Sequence, residues 1–214
     1  MTKEKEYLDI SKIEDIKNLT PEESAKIRDR DIKIPLTPLF CILTVLASVV
    51  LSSGIFLLKR DMVYSVQAFC IIMLLIYVSA VDIKLHMAPN WIAGAIGILG
   101  VPSIVVSLIN SNYYDLLFNR LTGIFGGFLL LFVAAIASKG GVGAADIKIT
   151  AALGLFMGLE GIFTGQLIGL FFASIASIGL LIVKKVNKKT RIPLLPFISA
   201  GVTAAMFLPN NLLF

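Results

Sequence analysis

Two aspartates, Asp82 and Asp146, are the residues of this chain best suited to chemistry, and their surroundings are related. The first segment reads Asp82-Ile83-Lys84-Leu85-His86-Met87-Ala88-Pro89-Asn90, the second Gly140-Gly141-Val142-Gly143-Ala144-Ala145-Asp146-Ile147-Lys148. Two carboxylates that meet at one level can share a proton and activate a water molecule. In the second segment, three glycines and two alanines within six residues leave little side chain to pack. Such a stretch gives a tight backbone path that another chain can approach closely. Asp146 is expected at the N-cap of the helix that follows, where the helix dipole favours its anion. Pro89-Asn90 is expected to break the helix after Asp82 and restart it at Trp91. Taken alone, the glycine-rich turn also fits a plain capped loop.

Other chemistries find little support. His86 is the single histidine and has no cysteine or histidine near it, so no metal site and no cofactor are expected. Cys41 and Cys70 both fall inside apolar runs without a CxxC pair, and read as small buried hydrophobes. Lys84 and Lys148 each follow an aspartate by two residues. At that spacing neither need touch its own aspartate on a helix. They fit either a local positive potential or lysines reaching the lipid headgroups.

The elements that must position the aspartates are membrane helices. The 214 residues are 57% hydrophobic and 15% charged, against about 25% charge in a soluble domain. Disorder is excluded by the same hydrophobicity. Residues 1–35 hold eight of the nineteen Lys/Arg and nine of the fourteen Asp/Glu, leaving eleven basic and five acidic residues for 36–214. The chain therefore divides into a charged segment, 1–35, and an apolar domain, 36–214. The net charge of +5 belongs to membrane loops, and no nucleic-acid partner is expected. A helix crossing the hydrocarbon core needs about 20 apolar residues. Runs at 36–58, 62–81, 91–110, 121–138, 162–183 and 192–208 come near this, and a seventh at 147–159 is shorter. The expected fold is all-α: a polytopic bundle of six to seven transmembrane helices in the lipid bilayer.

Loop charge orients the bundle. With the N-terminal segment in the cytoplasm, the inner loops and their edges carry Lys84, Lys139, Lys148 and five residues of the 184–191 cluster. The outer loops carry Lys59, Arg60 and Arg120, with a turn at Glu160-Gly161. Thr20-Pro21-Glu22-Glu23 starts a short helix in the N-terminal segment, which fits an amphipathic surface helix or a solvated tail. This topology sorts the five acids of the apolar domain. Asp61, Asp115 and Glu160 fall in outer loops, whereas Asp82 and Asp146 lie at the inner ends of spans. An ionisable group at such a position is a functional hypothesis by default. Gly169, Ala173, Ala176 and Gly179 supply a small-residue stripe for close helix packing.

Asp-Ile-Lys with Pro-Asn after it, then a glycine-rich loop leading into a second Asp-Ile-Lys, resembles the type IV prepilin peptidases. That family includes the archaeal preflagellin peptidases and belongs to the GxGD intramembrane aspartyl proteases. The segment Ile192-Pro193-Leu194-Leu195-Pro196-Phe197-Ile198-Ser199-Ala200-Gly201 is similar to the family's late Pro-Phe-…-Gly element. The resemblance implies Asp82 and Asp146 as the catalytic pair, with Gly141, Gly143, Lys148, Pro89 and Asn90 as substrate-binding or loop-supporting positions. It implies an aspartic endopeptidase in the cytoplasmic membrane. Its substrates would be prepilin-like proteins, with a short basic leader removed at the cytoplasmic face. Two departures stand out. The family's second glycine is Ala145 here, which needs a backbone with φ < 0. The cysteine-rich segment of the bifunctional, N-methylating members has no counterpart, so the peptidase alone is expected.

Membrane carboxylates beside glycine-broken helices also serve proton- or ion-coupled transporters. Against that alternative stand the short chain, the lack of an internal repeat and the placing of both acids at one face. A noncatalytic scaffold leaves the paired aspartate motifs without a purpose. A presenilin-like protease fits less well, since Val81 stands where that branch carries tyrosine.

Overall fold

The structure is a computed structural model, and it describes residues 38–85, 88–109, 113–138, 142–182 and 193–208. The N-terminal segment, the 184–191 cluster, Gly141 and His86 lie outside the described residues. Every element among the described residues is a helix: α1 (Pro38–Lys59), α2 (Met62–Leu85), α3 (Asn90–Ile109), α4 (Tyr113–Ala137), α5 (Ala144–Ile182) and α6 (Leu195–Phe207). Four of them, α1, α2, α4 and α5, are long and apolar enough to cross a membrane. Much of their outer surface is aliphatic or aromatic, as lipid-facing helices require: Leu57 is 74% exposed and Phe125 73%. The chain is a multi-pass membrane protein.

Helix α5 departs from the expected topology. Its 39 residues include Gly158 at φ 77°, ψ 179°, where the helix breaks. Thr150 Oγ1 and Gln166 Nε2 both donate to the Gly127 carbonyl, at 3.0 and 2.8 Å. In one straight helix those two residues would stand about 24 Å apart. The two arms of α5 therefore fold back on each other, and the turn lies at Gly158, ahead of the expected Glu160-Gly161. Asn119 Oδ1 closes it by accepting the Leu159 N–H at 2.8 Å. The first arm is the short run anticipated at 147–159. Helix α4 also starts earlier than the apolar pattern indicated, so Arg120 lies within a helix and not in a loop.

Small residues let these helices approach to backbone contact. A Cβ on Gly123 would meet the backbone of Gly158 at 2.7 Å, and one on Gly127 would meet the Thr150 carbonyl carbon at 2.8 Å. The second arm of α5 meets α6 in the same way, through Gly165 against Val202 and Gly169 against Ile198. Of the expected stripe, Gly169 and Ala173 pack inward, but Gly179 faces open space. The core joins Ile71, Leu75 and Val78 of α2, Ile149, Leu153 and Phe156 of α5, and Leu195, Ile198 and Val202 of α6. Between α2 and α3, Gln67 is held by both its amide atoms. It donates to the Leu99 carbonyl at 2.6 Å and accepts from Ser103 Oγ at 2.9 Å.

Candidate active site

Asp82 sits in the last turn of α2, and Asp146 in the first turn of α5. Both are buried, at 6% and 9% exposure. They come from helices separated by α3 and α4 in the chain, yet their carboxylates lie within electrostatic range of each other.

Each carboxylate is held by a backbone N–H at the start of a helix. Asp146 Oδ2 accepts from the Gly143 N–H at 3.3 Å, while the Gly143 carbonyl accepts from the Asp146 and Ile147 N–H groups. Gly143 is thus the capping residue and Asp146 stands three positions on, reaching back as the acidic member of a capping box does. This corrects the expected placing of Asp146 at the N-cap itself. The helix dipole still favours this carboxylate, which lies in the first turn. Asp82 Oδ2 accepts from the Leu195 N–H at 3.2 Å. Leu195 opens α6, and Pro196 after it fits the first turn because it brings no N–H of its own to satisfy. Two helix N-termini therefore converge on the two carboxylates.

One turn from Asp82, Ser79 Oγ and Ser199 Oγ are 2.9 Å apart, a second polar link between α2 and α6. One turn from Asp146, Thr150 ties its arm to α4 through the Gly127 carbonyl. Nothing in the sequence singles out these three hydroxyl residues, Ser79, Ser199 and Thr150. Serine and threonine in an apolar run satisfy their own helix as readily as a neighbour, so only the fold distinguishes them.

The remaining expected residues separate. Gly143 touches Asp146 directly, and a Cβ there would lie 3.3 Å from Oδ2. Ala145 is helical, and among the described residues the only positive φ at a non-glycine is at Arg60, so alanine in the second glycine position carries no backbone strain. Pro89 is buried and Ala88 is 4% exposed, so the turn after Asp82 packs into the bundle. Asn90 starts α3, one residue earlier than expected, and is exposed. Lys84 and Lys148 are also exposed. Among the described residues no group of histidine, cysteine and acidic side chains could hold a metal ion. Among the described residues, the site brings together two carboxylates and the backbone donors that hold them. That set suits proton transfer to and from a bound water.

Comparison with known proteins places the chain in a family. No solved structure matches the chain. The prepilin leader peptidase/N-methyltransferase of Bacillus subtilis (strain 168) is 30% identical over 150 residues, covering 68% of this chain and 57% of that relative. The chain thus spans under two thirds of the relative's length. The model of the type IV leader peptidase family matches residues 68–183, a stretch that contains both buried aspartates and the loop between Gly143 and Asp146. The chain belongs to the type IV leader peptidase family.

Proposed function

We propose that this protein is a membrane-embedded aspartic endopeptidase that removes the short basic leader of prepilin-like precursors. The observation that carries the reading is the pair itself: two buried carboxylates from different helices, within electrostatic range, each held by a helix N-terminal N–H. The name of the Bacillus subtilis relative supports the substrate class. That name also includes methyl transfer, whereas the aspartate pair bears on hydrolysis alone.

In this mechanism Asp82 and Asp146 share one proton. The ionised carboxylate takes a proton from water as the water oxygen bonds to the scissile carbonyl carbon. The protonated carboxylate gives its proton to the carbonyl oxygen. As the tetrahedral intermediate collapses and its C–N bond breaks, the protonated carboxylate gives its proton to the departing amine, and the ionised one takes a gem-diol hydroxyl proton, which restores the one-proton pair. The roles belong to the dyad as a unit. Buried surroundings strengthen each of these interactions relative to water.

The positive charge of the inner loops supports a cytoplasmic N-terminus and cleavage at the cytoplasmic face, where the ends of α2 and α5 carry the aspartates. A substrate would present its basic leader on the same side. The deciding experiment is co-expression with a tagged prepilin-like substrate, comparing wild type with Asp82→Ala and Asp146→Ala. Loss of the leader with the wild type alone, at equal abundance of folded protein, is expected. Processing that survives both substitutions would overturn the aspartyl mechanism.

A further inference from the structure

The end of the bundle away from the aspartates carries a second charged cluster that leader hydrolysis does not use. Lys59 closes α1, Asp61 precedes α2, and Arg120 lies in the second turn of α4. Asp61 and Asp82 stand at opposite ends of α2, about 32 Å apart along its axis. Lys59 Nζ lies 4.4 Å from the centroid of the Tyr64 ring, which stacks on Phe156 at 4.7 Å. Arg120 interacts electrostatically with both Tyr64 and Asp61, and it repels Lys59. Helices α1, α2, α4 and α5 thus meet around two cations and one carboxylate.

Two features make this cluster more than a pair of surface cations. Arg120 Nη1 is sealed from solvent and has no hydrogen-bond acceptor among the described residues. A buried charged donor without an acceptor is destabilising, and a like charge nearby adds to the penalty. A guanidinium on a long, flexible stem gains by turning that N–H to an oxyanion. Arg60 is the other feature: it holds φ 53° in the turn between α1 and α2. Such a conformation in a non-glycine residue marks a constrained turn, and Asp61 Oδ1 after it accepts the Tyr64 N–H at 3.1 Å. The neighbouring surface is apolar, with Leu57 74%, Met62 73% and Phe118 70% exposed. A ligand that pairs an oxyanion with hydrocarbon fits both parts.

We propose that Arg120 and Lys59 form a binding site for the phosphate of an anionic phospholipid, with its acyl chains lying along the exposed faces of α1 and α4. Phosphate is the shared chemistry of a lipid headgroup and free inorganic phosphate, and the apolar rim selects the lipid.

The test uses the full chain in detergent, stripped of lipid, with thermal unfolding followed while lipid is added. Dioleoyl-phosphatidylglycerol, dioleoyl-phosphatidylcholine and inorganic phosphate are compared. In the wild type, phosphatidylglycerol is expected to act at about five- to tenfold lower concentration than phosphatidylcholine. Arg120→Gln abolishes the preference. Lys84→Gln removes the same charge at the aspartate end and keeps it. If Arg120→Gln does not fold, Lys59→Gln is read in its place. Equal action of the two lipids on the wild type would overturn the proposal, as would a preference that survives Arg120→Gln or Lys59→Gln. Inorganic phosphate that stabilises as well as phosphatidylglycerol and displaces it would overturn the lipid as the ligand.

Discussion

Asp82 Oδ2 accepts the Leu195 N–H at 3.2 Å, across 113 residues of sequence. The bond gives Asp82 a structural duty beside its proposed chemical one, and the two can be separated. Asparagine keeps an oxygen for Leu195 but loses the titrating proton; leucine keeps the bulk and loses both. Asp82→Asn is expected to abolish leader cleavage with little change in thermal unfolding in detergent. Asp82→Leu should abolish cleavage and also lower stability by about 1–3 kcal/mol, because the Leu195 N–H is left buried without an acceptor. Equal stability of the two variants would mean that Asp82 does not cap α6.

The loop before Asp146 makes a contrasting pair of predictions. A methyl group on Gly143 would lie 3.3 Å from Asp146 Oδ2, so the carboxylate must shift to admit it. Displacement of a reacting group by a fraction of an ångström to an ångström costs up to about 100-fold in rate. Gly143→Ala should therefore lower kcat by about 10- to 100-fold with little loss of stability, since Gly143 is exposed. Ala145→Gly would restore the family's glycine, but Ala145 is already helical. It should leave cleavage unchanged and cost about 0.5–1 kcal/mol of stability. Cleavage assays and unfolding curves on the two variants check both statements.

The aspartates were legible because carboxylates are rare in an apolar chain, and two of five fell at the same ends of helices. The helical bundle was legible from the apolar runs, including the shortness of 147–159, although only four of its helices are long enough to cross a membrane. The partners of the aspartates were not. Leu195 serves through its backbone N–H, and every residue except proline carries one, so nothing in the sequence marks it out. The cap of α5 was misplaced for a related reason: an acidic side chain makes its bond to the helix start from the N-cap or from three residues on. The apolar runs 147–159 and 162–183 put the turn of α5 at Glu160-Gly161, the two residues between them. Gly158 makes the turn, and among Gly154, Gly158 and Gly161 only the backbone dihedrals separate a hinge from a packing glycine.

Glycines on the helices divide sharply by surroundings. A Cβ on Gly123 would collide with the Gly154 carbonyl and come within 2.9 Å of Gly158 Cα, all backbone that cannot rotate aside. Gly123→Ala should separate α4 from α5 and destabilise by about 1–3 kcal/mol or more. Gly97 in α3 has nothing within 4 Å of such a carbon. Gly97→Ala should stabilise by about 0.5–1 kcal/mol through helix propensity. Thermal unfolding of the two variants is expected to move in opposite directions.

Gly158 combines both constraints, and its replacement should be the most damaging of the series. At φ 77°, ψ 179° it occupies a region open essentially to glycine alone. A Cβ would also stand 3.0 Å from both terminal atoms of the Asn119 amide. That amide supplies the oxygen that binds the Leu159 N–H, so relieving the clash by moving Asn119 would release the turn. Gly158→Ala is therefore expected to cost about 1–3 kcal/mol from the backbone alone, with the loss of the Asn119 bond added to it. The effect should reach the distant site. The first arm of α5 carries Asp146 at one end and hangs from Gly158 at the other, with Thr150 pinned to Gly127 between them. A Gly158→Ala protein that folds and cleaves at the wild-type rate would mean that the Thr150 link alone holds the arm, against this expectation. If the turn sets the arm's register, the folded fraction should show reduced kcat. Asn119→Ala, which removes the bond without adding a methyl group, should show a weaker version of the same change in unfolding temperature and kcat.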